Sequence, residues 1–313
     1  MADPEAADAL EVIARVPSLA GSPRVVTELP GGLTNRNYKV TTPAGTFVAR
    51  RWGAPAGGPG PGLDLLAINR DHEHRNSVIA AAAGVGAPVI EFRPQDRLLV
   101  LGFLDGSTFA NSDVQDARNI PRIAAALRAL HGASRFAGDF DMFEVQRRYR
   151  AAARRAAAAV PDGYDELAPA FAAARAALAV RAEPTVPCHN DLLAANFIDD
   201  GQRLYLIDYE YAGNNDPCFE LGNIAGECAL PGETLAALVT AYYGGERRSK
   251  IARARLFTLV SQYGWTLWGA LQHASSPLKF DFWSWAMERF EAAAAGLTSP
   301  AFAQLLNDVA EGD

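Results

Sequence analysis

Residues 187–211 read PCHNDLLAANFIDDGQRLYLIDYEY, and the organisation of the chain can be worked outward from them. Phe197-Ile198 and Leu204 to Ile207 are two short apolar runs on either side of Asp199-Asp200-Gly201. Such a pattern predicts two strands and a tight turn. With the turn centred near residue 202, antiparallel pairing sets residues whose numbers sum to about 404 opposite one another. Asn196 and Asp208 meet that sum, so two oxygen-bearing side chains are expected side by side at the open end of the hairpin. Asp191 lies five residues upstream, in the loop entering the same end.

The chemistry of these three residue types is specific. A hard cation such as Mg²⁺ takes oxygen ligands, one or two from protein and the rest from phosphate and water. Asn196 and Asp208 fit that role as metal ligands. Asp191 is then placed to orient an acceptor hydroxyl and take its proton. Together they are the parts of metal-assisted phosphoryl transfer. Any one of them alone would be only a turn former.

The 313-residue length suits one large domain or two lobes with an ample core. The 29 cations and 36 acids leave a formal charge of −7, which disfavours nucleic acid and anionic membrane surfaces as partners. Only three of the cations are lysines, Lys39, Lys250 and Lys279, an arginine bias that carries no functional reading. The acidic start MADPEAADALEV lacks a basic and apolar leader, and no apolar run is long enough for a membrane span. Cys188, Cys218 and Cys228 are odd in number and lack C-x-x-C spacing, so reduced thiols and a cytoplasmic location are expected. Oligomeric state has no signature in the sequence.

Residues 24–51 read as strands, with a hairpin turn at Pro43-Ala44-Gly45. A Gly/Pro-rich flexible stretch, 54–62, precedes a helix expected over 64–83, and 97–104 is a buried strand. The remainder is mostly helical. One helix is expected over 113–131 and two Ala-rich helices over 144–182, split at Pro161-Asp162-Gly163. Helices resume from 219. This order predicts an α+β protein: a β-rich N-lobe with one helix, residues 1–103, and a mostly helical C-lobe, residues 104–313, with a cleft between them.

His189-Asn190-Asp191-Leu192-Leu193, then Asn196, then Leu206-Ile207-Asp208-Tyr209-Glu210-Tyr211-Ala212-Gly213 resembles the choline/ethanolamine kinase family, in its bacterial choline kinase-like branch. That family shares the protein-kinase-like fold with aminoglycoside phosphotransferases, and the similarity runs from about residue 28 to 292. The resemblance implies an ATP-binding, cytoplasmic transferase. Gly31, Gly32, Thr34 and Asn35 match its phosphate-covering turn, where glycines admit backbone amides to phosphate oxygens. Arg50 matches the cation on the nucleotide phosphates. Arg51 points to the opposite face of the strand, so the choice between them rests on register. Glu73 would pair with Arg50. His72 and His74, which flank it, cannot share a helix face and are expected at the surface. Leu101, Gly102 and Phe103 resemble the inter-lobe hinge, whose backbone would meet adenine. The chain departs from the family at Glu220, where Asp is usual. That residue is implied to brace the catalytic loop from beneath, and the extra methylene predicts a shifted brace.

Four of five tryptophans, Trp265, Trp268, Trp283 and Trp285, fall within 21 residues. Trp265 and Trp268 share a helix face, Phe280 and Phe282 lie near, and Tyr211 follows Asp208 by three. A quaternary ammonium has no N–H to donate. It is held by aromatic faces, each contributing about 0.5–2 kcal/mol within about 6 Å, and by a carboxylate. Glu227 is a candidate for that carboxylate. The resemblance assigns Tyr211, Glu227, Trp265, Trp268, Phe280 and Trp285 to a choline pocket, although Trp285 stands where Tyr is common. ATP and choline are therefore the expected substrates, with Mg²⁺. Ethanolamine, thiamine or an aminoglycoside stays open as the acceptor. A catalytically silent protein that holds a cationic metabolite is the reading from another class, and retention of Asp191, Asn196 and Asp208 argues against it.

Overall fold

A computed structural model describes residues 4–53, 66 and 68–311. The Gly/Pro-rich stretch 54–62 lies outside the described residues, as does much of the expected start of the following helix. Helix α1 (Pro4–Ala14) precedes strands β1 (Val25–Leu29), β2 (Asn35–Thr42) and β3 (Gly45–Trp52). Helix α2 (Arg70–Ala82) follows, capped by the Asn69 side chain, which accepts from the His72 amide at 3.0 Å. Strands β4 (Val89–Arg93) and β5 (Leu98–Gly102) complete an antiparallel sheet of order β1-β2-β3-β5-β4. Ala9, Ile13 and Val16 recur at helical spacing and bury against Tyr38, Val40, Ala49, Leu98 and Val100, giving the sheet its own small core. The first helix was not anticipated, because its acidic residues hide that apolar stripe.

Beyond residue 103 the chain is mostly helical. The helix expected over 113–131 is two: α3 (Asn111–Gln115) and α4 (Ile120–His131). Asp116 and Asn119 turn the chain between them, and Pro121 sits in the first turn of α4, where its missing N–H costs nothing. The Ala-rich pair is α5 (Met142–Ala156) and α6 (Ala168–Val180). After it come α7 (Pro217–Glu227), α8 (Gly232–Tyr243), the 28-residue α9 (Arg248–Ser275), α10 (Phe282–Leu297) and α11 (Phe302–Glu311). Helix α9 is the axis of this half and packs on α5, α7, α10 and α11. Gly222 permits the close α7–α9 approach, since a Cβ there would lie 2.4 Å from the Ala254 carbonyl oxygen. The two halves make an α+β protein-kinase-like fold. Among the described residues no helix is long and apolar enough to cross a membrane.

Short strands carry the loop that matters. Strand β6 (Ser107–Thr108) pairs with β8 (Phe197–Asp199), which pairs with β9 (Leu204–Leu206). Strand β7 (Val186–Cys188) pairs with β10 (Gly213–Asn215), Cys188 opposite Gly213. The β8–β9 register joins Phe197 to Leu206 and Asp199 to Leu204, so paired numbers sum to 403, one less than expected. The Asp200 carboxylate sets this shift by accepting from the amides of Gln202 and Arg203, which centres the turn half a residue earlier. Asn196 therefore faces Ile207, and its carbonyl accepts the Ile207 amide at 3.0 Å. Asp208 comes one residue later.

The cysteines are free and buried, and burial pushes the Cys218 and Cys228 thiols up to about 12. His72 and His74 are half-buried rather than at the surface. The edge of α2 packs on β4, and His74 stacks on Phe92 with ring centroids 4.3 Å apart.

Candidate active site

Two non-glycine residues with positive φ frame the site, Asn190 at 68° and Asp208 at 76°. Asn and Asp tolerate this conformation best among residues with a side chain. Asn190 also ties the loop together. Its Nδ2 approaches the carbonyls of Cys188, Tyr211 and Gly213 within 3.2 Å, and its Oδ1 accepts from Asn215. His189 is fully buried, with Nε2 2.7 Å from the Ile207 carbonyl and Nδ1 accepting the Asp191 amide at 3.3 Å. From below, the Glu220 carboxylate accepts the amides of His189 and Asn190, both at 2.7 Å. The extra methylene of Glu thus leaves both bracing bonds intact. His131 lies 3.7 Å behind it and donates or accepts at Tyr242 (2.7 Å).

Asp191 is partly buried at the head of this loop. Burial, then the charges of Glu227, Asp208 and Glu210, push its carboxyl well above the usual range, against the opposing influence of Arg289. Asn196 spends its Nδ2 on the Asp191 carbonyl at 2.7 Å, so Oδ1 is the atom it could offer to a cation. Asp208 is the most open acid of its cluster, 25% exposed where Glu73 and Glu210 are 2% and 5%. A partly exposed carboxylate and an amide oxygen are donors that suit a hard cation.

Arg50 on β3 faces this cluster. Its guanidinium pairs with Asp208, with Glu73 of α2 at 3.2 Å and with Glu210 at 3.3 Å. Arg51 points the other way, to Asp8 and the Asp96 carbonyl. Glu73 also holds Arg70 at 2.6 Å. Nε and Nη2 of Arg70 are buried without a hydrogen-bond partner among the described residues, donors suited to anionic oxygens. The glycine turn closes over the same group. Gly31 and Gly32 have φ of 89° and 95°, and a Cβ at Gly32 would collide with the Asn35 carbonyl. Thr34 Oγ1 and Asn35 Nδ2 donate to the Glu210 carboxylate at 2.8–2.9 Å. At the other end of the sheet Leu101 pairs with Val48, and the Phe103 amide donates to the Thr46 carbonyl at 3.1 Å. That amide is committed within the protein and does not face outward as a free donor.

The aromatic residues gather on α9, α10 and the segment after Asp208. Trp268 Nε1 donates to the Tyr211 hydroxyl at 2.8 Å, and Trp265 Nε1 donates to Asn223 at 3.0 Å. Ring centroids lie 5.0 Å apart for Tyr211–Trp265 and 5.1 Å for Trp268–Trp285. Phe282, buried, closes against Trp268, whereas Phe280 is 43% exposed and stacks edge-on against Phe282. Glu227 is paired with Arg289.

Residues 25–257 match the model of the phosphotransferase enzyme family. The chain belongs to that family. Protein LicA of Haemophilus influenzae is 26% identical over 84% of this chain and 77% of its own length. Rat ethanolamine kinase 2 is 34% identical over 34% of this chain, and the match spans 33% of that relative's length. A crystal structure of a choline/ethanolamine kinase family protein from Mesorhizobium loti is 29% identical, with a TM-score of 0.83 over 98% of this chain and 99% of that one.

The structure thus brings Arg50, Glu73, Asp191, Asn196 and Asp208 to one place, and Tyr211, Trp265, Trp268 and Trp285 to the next. Three members escaped sequence reasoning. Glu210 was visible two residues after Asp208, Arg70 three before Glu73, and Arg289 four after Trp285 on the same helix. The i, i+3 and i, i+4 spacings of the two arginines predict proximity on a helix, but none of the three says which charges meet.

Proposed function

We propose that this chain is a kinase that transfers the γ-phosphoryl group of ATP to the hydroxyl of choline. The observation that carries the reading is that Asn196 joins the Asp191 loop, through Nδ2 on the Asp191 carbonyl at 2.7 Å, to the strand end that presents Asp208 to Arg50, with the Tyr211, Trp265, Trp268 and Trp285 rings following Asp208. Arg50, held by Glu73, offers its guanidinium to the nucleotide phosphates, and the Gly31–Gly32 turn offers backbone amides. Asp208 and Asn196 would hold Mg²⁺, which neutralises charge on the transferring group when bound. Asp191 orients the acceptor hydroxyl and takes its proton as the bond to phosphorus forms. Glu220 fixes the position of Asp191 through the two preceding amides. Tyr211, Trp265, Trp268 and Trp285 supply the ring faces for a trimethylammonium head.

Ethanolamine is the second reading, favoured by the name of the rat relative. Its ammonium would need hydrogen-bond acceptors, which a wall of rings supplies poorly. Coupled ADP release with Mg-ATP and a panel of choline, ethanolamine, thiamine and kanamycin tests the proposal. Choline is expected to give the highest kcat/KM; turnover with kanamycin and none with choline would reject it.

A further inference from the structure

The acceptor end of the site already holds a cation. Arg289 lies one turn beyond Trp285 on α10, and its guanidinium sits over the Trp285 ring with Cζ 3.3 Å from the centroid. Two of its nitrogens, Nε and Nη2, fork onto the Glu227 carboxylate, the first at 3.3 Å. The third, Nη1, donates to the Trp285 carbonyl at 3.3 Å. The pair is withdrawn from water, with Glu227 4% and Arg289 13% exposed. It belongs to the site and not to a remote surface: the Trp285 ring under Arg289 lies 5.1 Å from that of Trp268, whose Nε1 donates to the Tyr211 hydroxyl, three residues after Asp208.

A ring face and a carboxylate are what a small organic cation needs from a protein. Arg289 takes both. A carboxylate buried without a partner is costly, so something positive must occupy this place whenever the acceptor is absent. We infer that Arg289 is an intramolecular stand-in for the acceptor's cationic head. It sets acceptor specificity, because the entering cation must displace the fork from Glu227 and the ring of Trp285. This rests on the reading of the site as an amino-alcohol pocket. Pairing of Arg289 with an anionic acceptor is disfavoured by the same contacts. All three nitrogens are engaged, and an anion that drew Arg289 away would leave Glu227 bare and repel it. A cation exchanges like for like.

Because acceptor binding must include this displacement, the apparent affinity of the unmodified protein is reduced by the fraction of molecules in which Arg289 has left. R289M keeps much of the stem and removes the charge. Its KM for choline is expected to fall about 5- to 10-fold, with kcat within about twofold and the KM for ATP unchanged. Methylguanidinium should refill the emptied place in R289M. It is expected to quench tryptophan fluorescence and to compete with choline at concentrations that leave the unmodified protein unaffected. A KM for choline that stays the same or rises, with kcat lowered equally for choline and ethanolamine, would show a purely structural role and overturn the inference. Absence of methylguanidinium binding would do the same. If R289M fails to bind ATP, R289K decides: it keeps a cation without the fork, a smaller fall in KM is expected, and an unchanged or raised KM overturns. Should the unmodified protein release no ADP with any amino alcohol, the kinase reading fails. The fluorescence titration would still judge Arg289.

Discussion

Arg50 and Glu73 face each other across the small lobe, Nε 3.2 Å from Oε1, with side chains 5% and 2% exposed. The contact joins the third strand of the sheet to helix α2. It also fixes the direction in which the rest of the guanidinium points, toward Asp208 and Glu210. Removing one partner of a buried pair costs about 3–5 kcal/mol when the other is left uncompensated. Here Arg50 would keep two carboxylates, so the expected loss falls on position more than on folding. For E73Q, kcat is expected to drop about 10- to 100-fold, the scale of a displaced catalytic group. The KM for choline should stay within about twofold. Steady-state kinetics with each substrate varied decides the point; an unchanged kcat would remove Glu73 from the machinery.

Asp191 makes the sharpest prediction about chemistry. A positioned general base contributes about 10²- to 10⁴-fold. D191N should therefore lose turnover by about that factor while binding ATP nearly as well as the unmodified chain, measurable by nucleotide fluorescence. The ionised form is the one that accepts a proton, and burial with three acidic neighbours raises the carboxyl's pKa. Activity should then fall on acidification at a pH above that of an ordinary aspartate. A kcat/KM profile that stays flat through that region would contradict the role.

The brace beneath the loop predicts a loss of stability. Both oxygens of Glu220, a residue with no exposure to solvent, accept backbone N–H bonds at 2.7 Å. Hydrogen bonds to a charged group contribute about 1.5–3 kcal/mol each. E220D is one methylene short of a wall built for Glu, so at least one of the two bonds should lengthen. A loss of about 1.5–3 kcal/mol in urea unfolding is expected, together with a lower kcat. Stability equal to that of the unmodified chain would mean that the loop follows the shorter side chain down.

Much of this arrangement could be read from the sequence, and the gaps have physical causes. Alternation and turn residues located β2, β3 and the β8–β9 hairpin, because each is local. The one-residue error in the hairpin came from Asp200, whose carboxylate caps two amides and moves the centre of the turn. Strands β7 and β10 are three residues each and pair across 25 positions, too short for any periodic signal. Arg50 was separable from Arg51 only through register, and the pairing of Arg50 with Leu99 supplies it. Among the charges, sequence named Asp191, Asp208, Glu73 and Glu227 and missed Glu210, Arg70 and Arg289. In a chain with 26 arginines no spacing rule singles out Arg70, drawn in beside Glu73, or Arg289, drawn in beside Glu227.

His189 carries a prediction about pH. It is fully buried and uses both ring nitrogens: Nε2 donates to the Ile207 carbonyl, and Nδ1 accepts the Asp191 amide. That pattern requires the neutral ring, since a proton on Nδ1 would meet another N–H. Burial lowers its pKa, and the nearby Glu220 charge and Ile207 carbonyl offset part of the effect. Unfolded, the imidazole takes up its proton near the ordinary value of about 6.5. Between the two pKa values the unfolded chain binds more protons, so stability is complete above about pH 6.5 and declines as the pH falls below it. Urea midpoints measured at pH 7.5, 6.5 and 5.5 should decrease in that order. H189Q keeps a donor toward Ile207 and has no proton to gain, so its midpoints should change less over the same interval, whatever its absolute stability. Equal pH dependence in the two proteins would show that the acid sensitivity arises elsewhere, and that the neutral His189 ring is not what the loop depends on.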